Sequence, residues 1–254
     1  MQQPPLPALA LIDWGIGGLG VRLLLLRQRP DLGVTYVSDT GATPYGRLSA
    51  TALDARLALL INTLRLRGVT RVFLACNAAS TALARGARFA LPTDGMITAG
   101  VEAVLKSGAG NVAVVGGERT VRSGVYRRAL IAHGLQVSQR VAQPLSAAIE
   151  AGRARDDATV RLVKQIVAPL RHVEALLLAC THYAVVAQAF SHALPEVQLI
   201  DPAALAARRI AEANPRTFTD QDTVLTTGDP NSMRSAARAA WNLELPSIEQ
   251  LVLR

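Results

Sequence analysis

The chain carries one strand–helix pattern twice, and this repeat restricts the folds that it can adopt. In the first copy, apolar runs of strand length at LALID (9–13), VTYVSD (34–39) and VFLAC (72–76) alternate with helical patterns at 20–30 and 49–68. Fully apolar strands that alternate with helices are typical of a parallel sheet covered on both faces. This half of the chain is therefore predicted to form a βαβαβ unit.

The second copy follows the first in the same order. Its strand-like runs lie at 111–117, 135–143 and 175–180, and its helical patterns lie near 120–133 and 155–170. The repetition of one unit predicts an α/β fold with two pseudo-symmetric lobes, each a parallel sheet flanked by helices.

Cys76 and Cys180 close the third strand of the two copies and lie 104 positions apart. The same offset relates Asp13 to Gly117, and the text LACNAAS around Cys76 resembles LACTHYA around Cys180. Ligands of open parallel sheets bind outside the carboxyl ends of the strands. Two lobes that face each other would bring both thiols to one crevice, whereas the alternative is that each thiol is only a small buried hydrophobe.

The repeat also predicts where the lobes divide. Residues 1–97 together with 211–254 are predicted to form the first lobe, and residues 98–210 the second. The tail TTGDPNSMRSAARAAW has no counterpart in the repeat. It is predicted to form a strand end, a turn and a helix capped by Asp229 or Asn231, and to return to the first lobe.

Composition excludes several classes of protein. The chain of 254 residues has a net charge of +8, but its arginines are scattered and no aromatic platform accompanies them, so nucleic-acid binding is not expected. No apolar run reaches the roughly 18 residues of a membrane helix. The start, MQQPPLPALALID, lacks the basic segment of a secretory signal, and we expect a cytoplasmic protein that does not bind membranes. The two cysteines lack metal-binding spacing and are expected to be free thiols.

A glycine-rich loop follows the first strand and offers a different interpretation. Gly15, Gly17 and Gly20 match G-x-G-x-x-G, and Asp39 lies where a dinucleotide-binding carboxylate is expected. Asp13, however, ends the preceding strand, and its negative charge would face an incoming pyrophosphate. A dinucleotide-dependent oxidoreductase is therefore the less favoured alternative.

Two opposed thiols suit one kind of reaction. A thiolate can remove the proton from the α-carbon of a carboxylate substrate, and a thiol on the opposite face can return a proton with inverted configuration. Asp13 is predicted to orient Cys76, and His182 to assist Cys180. Glu150 is a weaker candidate, because a charge on a helix face is often only solvated.

The motifs around these residues resemble those of the glutamate racemase family, within the aspartate/glutamate racemase superfamily. IDWGIGGL resembles the family's D-S-G-x-G-G-L, VSDTGATPYG its G-D-x-x-x-x-P-Y-G, and ACNAAS its C-N-T-A-S. TVRSGVY resembles T-x-x-S-x-x-Y, ACTHY resembles G-C-T-H-Y, and TTGDP resembles S-G-D near the C-terminus. The resemblance extends over nearly the whole chain.

The resemblance implies a set of roles. The paired acid–base groups would be Cys76 and Cys180, assisted by Asp13, Glu150 and His182. The substrate-binding residues would be Asp13, Trp14, Pro44, Tyr45, Gly46, Asn77, Ala78, Thr181 and His182. The resemblance further implies no cofactor and no metal, a homodimer, and D-glutamate as a product used in peptidoglycan.

The chain departs from the family pattern at several positions. Trp14 stands where the family has serine, Ala78 and Gly117 stand where it has threonine, and Thr98 stands where it has glutamate. The losses at Trp14 and Ala78 remove hydroxyl donors from positions that in the family touch the substrate. Three alternatives therefore stay open: a glutamate racemase, a racemase or isomerase of another carboxylate such as aspartate, a hydantoin or maleate, and a non-catalytic homologue.

Overall fold

The computed structural model describes residues 8–213 and 222–253. The strands are β1 (Leu9–Asp13), β2 (Val34–Ser38), β3 (Arg71–Leu74), β4 (Thr93–Gly95), β5 (Asn111–Gly116), β6 (Gln136–Val141), β7 (Ala175–Ala179), β8 (Gln198–Ile200), β9 (Thr223–Thr226) and β10 (Glu249–Gln250). The helices are α1 (Leu19–Gln28), α2 (Ala50–Leu66), α3 (Asn77–Ala84), α4 (Met96–Ser107), α5 (Glu118–Ser123), α6 (Val125–Ala132), α7 (Gln143–Glu150), α8 (Asp157–Val167), α9 (Ala187–Ala193), α10 (Ala203–Ala213) and α11 (Pro230–Trp241). Short 3₁₀ turns lie at Tyr45–Arg47, Ala168–Leu170 and Thr181–Val186.

The strands form two separate sheets. One has six strands in the order β10-β9-β2-β1-β3-β4, and the other has four in the order β6-β5-β7-β8. Every strand pair is parallel, and β1, β2 and β7 are buried along their whole length. Helices cover the sheets, so the predicted α/β fold with two parallel sheets is confirmed. We call the two halves the six-stranded and the four-stranded lobe.

The internal repeat is visible in the strand order. The sequence β2-β1-β3 in one sheet matches β6-β5-β7 in the other. The correspondence continues beyond the predicted strands, because β4 and α4 follow β3 as β8 and α10 follow β7. Strands β4 and β8 were not predicted, because each has only three residues and neither is fully buried. Runs this short give no clear periodic signal.

Two predicted helices have different outcomes. The helix expected at 49–68 is α2, and the Ser49 side chain accepts a hydrogen bond from the backbone N–H of Ala52. The helix expected near 120–133 is instead broken into α5 and α6 at Gly124, whose φ of +63° leaves the helical region. A glycine was present in the pattern, but its positive φ only becomes apparent in the fold.

The tail returns to the six-stranded lobe as predicted. Strand β9 pairs with β2, and α11 begins after Asp229, whose carboxylate accepts hydrogen bonds from the backbone N–H groups of Asn231 and Ser232. Asp229 is therefore the cap, and Asn231 lies inside the helix. The lobe boundaries predicted from the repeat stay a prediction. They fall within α4, which packs on α6 and β7 of the four-stranded lobe, and within α10, which packs on α1 of the six-stranded lobe.

Within the described residues, no helix is long and apolar enough to cross a membrane. The prediction that the chain starts without a secretory signal rests largely on residues 1–7, which lie outside the described residues. Both cysteines carry free thiols, as expected.

Candidate active site

The two cysteines line one cavity between the lobes. Cys76 lies between β3 and α3, and Cys180 directly follows β7, so each thiol sits at the carboxyl end of its strand. The cavity has a volume of about 430 Å³ and is walled by both lobes. A space of this size at the carboxyl ends of parallel strands is suited to a small ligand.

Asp13 accompanies Cys76. The Asp13 carboxyl is fully buried, lies within hydrogen-bonding reach of the Cys76 thiol, and accepts a bond from the Thr181 hydroxyl at 2.7 Å and from the Trp14 backbone N–H at 2.6 Å. Burial raises the pKa of the Cys76 thiol well above its usual value, and the Asp13 charge raises it further. Burial also raises the pKa of Asp13, against the opposing effect of the His182 charge.

A histidine–carboxylate pair accompanies Cys180. The Nδ1 atom of His182 lies 3.7 Å from the Cys180 sulfur, and its Nε2 atom lies 2.6 Å from Glu150 Oε1. Burial alone would lower the pKa of His182, but its bonds to Cys180 and Glu150 raise that pKa well above the usual value. These contacts therefore favour the protonated, cationic form of the ring beside the thiol.

The glycine-rich loop has a packing role at this site. A side chain at Gly15 would collide with the Glu150 carboxylate, and a Cβ at Gly17 would lie 2.5 Å from Thr181 Oγ1 and 2.6 Å from His182 Nδ1. The backbone N–H of Ile16 donates to Glu150 Oε1 at 2.7 Å. The glycines therefore leave room for groups of the four-stranded lobe to pack closely against the loop.

The dinucleotide alternative is wrong in this structure because Asp39 is already occupied. This carboxylate is fully buried and accepts two bonds from Arg56, at 2.6 and 2.9 Å, and one each from the hydroxyls of Tyr45, at 2.7 Å, and Thr227, at 2.6 Å. No oxygen of Asp39 is left to meet a ribose. The G-x-G-x-x-G spacing matches the motif without its ligand.

Comparison with known proteins decides the family. Residues 28–210 match the family described as Asp/Glu/Hydantoin racemase. The chain belongs to the Asp/Glu/hydantoin racemase family. It is 31% identical over 210 residues to the glutamate racemase of Streptococcus pneumoniae serotype 19F (strain G54). The aligned region covers 80% of each chain. The chain's class of activity is that of an isomerase, an amino-acid racemase.

Solved structures of glutamate racemases share the fold over nearly the whole chain. The RacE1 isoform from Bacillus anthracis has a TM-score of 0.87 and 26% identity, with 97% of this chain and 98% of that chain covered. The Thermus thermophilus enzyme, solved with β-chloro-D-alanine, has a TM-score of 0.85 and 27% identity, with 99% of each chain covered. The fold and the motif resemblance therefore lead to the same family.

The structure brings together most of the residues to which the family resemblance assigns roles. Those that line the cavity are Asp13, Trp14, Pro44, Tyr45, Gly46, Cys76, Asn77, Ala78, Cys180 and His182. Thr181 does not line this cavity and contacts it through Asp13. Glu150 lies behind His182 and does not line it either. Direct contact of Thr181 with a substrate therefore has no support in the cavity's geometry, and the roles of the others stay predictions.

Two of these wall residues have notable hydrogen bonds. The indole Nε1 of Trp14 donates to the Ala42 carbonyl at 3.0 Å. The ring therefore lines the cavity but has no N–H left to donate to a ligand. Asn77 accepts from the Tyr126 hydroxyl at 2.6 Å, while its buried Nδ2 has no partner among the described residues. A buried N–H₂ group without a partner is available to a ligand that brings an acceptor.

Part of the cavity wall was not predicted from the sequence. The residues concerned are Arg47, Thr120, Gln143, Pro144, Ser146, Ala147 and Arg153. Several of them lie on α7, which carries no conspicuous motif and was not predicted. Gln143 had a usable signal, because the repeat offset relates it to Asp39 at the end of the equivalent strand. In the part of the chain that the structure describes, no cluster of three or more metal-ligating side chains occurs.

Proposed function

We propose that this family member inverts the α-carbon of an amino acid with two thiols and without a cofactor, in the manner of a glutamate racemase. The proposal is supported above all by one observation: Cys76 and Cys180 line the same cavity, each beside its own ionisable partner. A thiolate on one face removes the α-proton, and the electron pair stays on the α-carbon. The opposite thiol then delivers its proton to the other face.

The partners give each thiol its acid–base role. A positive His182 stabilises a thiolate at Cys180, and Glu150 orients the ring through its 2.6 Å contact with Nε2. The buried Asp13 carboxyl orients the Cys76 thiol and, through its charge, favours the protonated form. After one turnover the proton has moved from one sulfur to the other, so the enzyme is set for the reverse direction.

An acidic amino acid suits the charges of the wall. Arg47 and Arg153 line the cavity from opposite lobes, and neither makes an ion pair within residues 8–213 and 222–253. Arginine pairs with carboxylates through parallel N–H bonds. Together with the unpartnered amide of Asn77, these groups favour glutamate as the substrate.

A second substrate class is favoured by Trp14 and Ala78. Both line the cavity, and neither offers the side-chain donor that the family pattern has at its position. A racemase or isomerase acting on another carboxylate, with an apolar group against the indole, fits these two residues better. A panel of L-amino acids, aspartate and hydantoins separates the two alternatives.

The decisive experiment follows α-proton exchange. The protein is incubated with L- or D-glutamate in deuterated water, and configuration is read by circular dichroism while deuterium at the α-carbon is read by NMR. We expect both inversion and α-deuterium, and we expect Cys76→Ala and Cys180→Ala each to lower inversion by about 10³-fold or more. Ser107→Ala is the control, because within the described part of the chain that hydroxyl bonds the Val104 carbonyl and the backbone N–H of Ala109, away from the cavity.

Two outcomes would contradict the proposal. Full inversion by either cysteine variant would remove the two-thiol mechanism. No α-deuterium with any compound of the panel would favour a non-catalytic homologue.

The biological setting follows from the same resemblance. The proposal includes a cytoplasmic homodimer that supplies D-glutamate for peptidoglycan. Sedimentation of the purified protein tests the dimer. Complementation of a D-glutamate auxotroph tests the supply role, with Cys76→Ala as the inactive control.

A further inference from the structure

Ser146 places a hydroxyl against one of the two thiols. It lies within α7, lines the cavity, is only 7% exposed, and its Oγ atom lies 3.5 Å from the Cys180 sulfur. A serine inside a helix commonly bonds a carbonyl of the preceding turn. The Ser146 hydroxyl instead faces the sulfur and also lies within reach of the Tyr183 phenol, while its cavity-lining neighbours Pro144 and Ala147 have no side-chain donor.

The other thiol has no hydroxyl donor of this kind among the described residues. Its donor is the backbone N–H of Ala79, which lowers the pKa of Cys76 by less than burial and the Asp13 charge raise it. Cys76 faces the Asp13 carboxylate, which accepts hydrogen bonds and repels a thiolate. The repeat offset relates Ser146 to Ala42, which has no hydroxyl. The lobes are therefore alike in their strands but unlike in what they present to their cysteines.

We propose that Ser146 is a positioning residue that donates a hydrogen bond to Cys180 and holds it as the thiolate in the resting protein, while Cys76 rests as the thiol. The inference deepens the proposed two-thiol function and rests on it. Its consequence is a built-in bias: the substrate isomer whose α-proton faces Cys180 meets a base that is ready. The opposite isomer must bind the less populated form of the protein, in which Cys180 is the thiol and Cys76 the thiolate.

Several titratable groups face Cys180, and they set the conditions of a test. His182 lies on one side of the sulfur with Glu150 behind it, and Cys76 lies across the cavity. Burial raises the pKa of Tyr183 well above its usual value, and the charge of Cys180 raises it further, so this phenol stays neutral. Ser146 does not titrate, so its replacement changes the thiol without adding or removing a charge.

The test labels the thiols without substrate. The folded protein is treated with iodoacetamide between pH 5 and 10, and mass spectrometry of the two cysteine peptides gives a rate for each sulfur. We expect Cys180 to be alkylated before Cys76 in the wild type. In Ser146→Ala, we expect the midpoint of the Cys180 profile to rise by about one pH unit, since a hydrogen bond to a charged group is lost.

At neutral pH the Cys180 rate should then fall about threefold, because a more basic thiolate is rarer but more nucleophilic. The matched pair Ser146→Thr and Ser146→Val separates hydroxyl from shape, since the two side chains differ mainly in that group. Threonine should retain the wild-type midpoint and valine should not. Ser107→Ala should leave both profiles unchanged.

The inference is overturned if Cys76 is alkylated first, or if the threonine and valine variants have the same Cys180 midpoint. Because labelling needs no turnover, its result is independent of the α-deuterium experiment. A protein that exchanges no substrate proton can still pass or fail this test.

Discussion

His182 joins Glu150 to Cys180 through the two nitrogens of one ring. Its Nε2 atom lies 2.6 Å from Glu150 Oε1, and its Nδ1 atom faces the sulfur at 3.7 Å. Glu150 also accepts the backbone N–H of Ile16, so the same carboxylate ties the glycine-rich loop of one lobe to the histidine of the other. The proposed acid–base chemistry and the contact between the lobes thus share one residue.

Glu150→Gln should weaken both functions. The amide keeps an acceptor for Ile16, but it removes the charge that helps to raise the pKa of His182. We expect inversion to fall by about 10²-fold near neutral pH, because His182 is then less often a cation. Circular dichroism kinetics measure this loss, and Glu174→Gln, outside the cavity lining, serves as a control.

The stability of the same variant should depend on pH. A pKa of His182 that is higher in the folded protein than the unfolded value of about 6.5 stabilises the fold fully below that pH. The contribution is lost as pH rises through the folded pKa. The difference in unfolding free energy between wild type and Glu150→Gln should therefore shrink in alkaline solution, and a difference that is constant with pH in urea titrations would contradict this.

Asp13→Asn should move the ionisation of Cys76. Burial is the larger cause of the high pKa of Cys76, and the Asp13 charge is the next. Removing that charge leaves burial in place, so we expect the pKa of Cys76 to fall but not to return to its ordinary value. Alkylation of Cys76 against pH measures the shift. A profile that stays in place would mean that the carboxyl is uncharged in the protein.

Trp14→Ser combined with Ala78→Thr should raise turnover of glutamate. Each change restores a hydroxyl at the cavity wall, and each regained hydrogen bond is worth on the order of 1–3 kcal/mol. We expect a gain of about tenfold or more in kcat/KM, together with some loss of stability, because the indole also donates to the Ala42 carbonyl. If the unmodified protein already turns over glutamate at about 10 per second, the wall does not limit this substrate.

Arg153→Gln tests the cation on the four-stranded lobe. We expect KM for glutamate to rise by about tenfold with little change in kcat, since the guanidinium binds the ground state and the transition state alike. Arg155→Gln is the matched control, an exposed arginine two residues away that does not line the cavity. If both changes raise KM equally, the effect comes from the general positive charge of this surface and not from a direct contact between Arg153 and the substrate.

Asp39→Asn should lower the free energy of unfolding, because Asp39 has a structural role and does not bind a nucleotide. The carboxylate is fully buried and holds Arg56, Tyr45 and Thr227 together. Breaking a buried pair on one side costs about 3–5 kcal/mol. Urea denaturation measures the loss, and the unfolding midpoint of the wild type should not shift when NAD is added.

The sequence by itself determined the central strands of the two sheets and the strand-end positions of the cysteines. Strand length, apolar character and a constant offset are local properties, so the central strands of both lobes and the positions of Cys76 and Cys180 can be read from one chain. The offset also related Gln143 to Asp39, but only the structure places Gln143 in the cavity wall.

Tertiary structure decided the rest, because packing between distant segments has no local signal. The bare loop at Gly15 and Gly17 matched a nucleotide motif, yet its glycines are needed where Glu150 and His182 arrive from the other lobe. Thr181 was predicted to bind the substrate but donates its hydroxyl to Asp13, whereas Ser146 belonged to no motif and contacts Cys180. Sequence spacing names the strand from which a side chain departs, and only the approach of the two lobes determines which partner it meets.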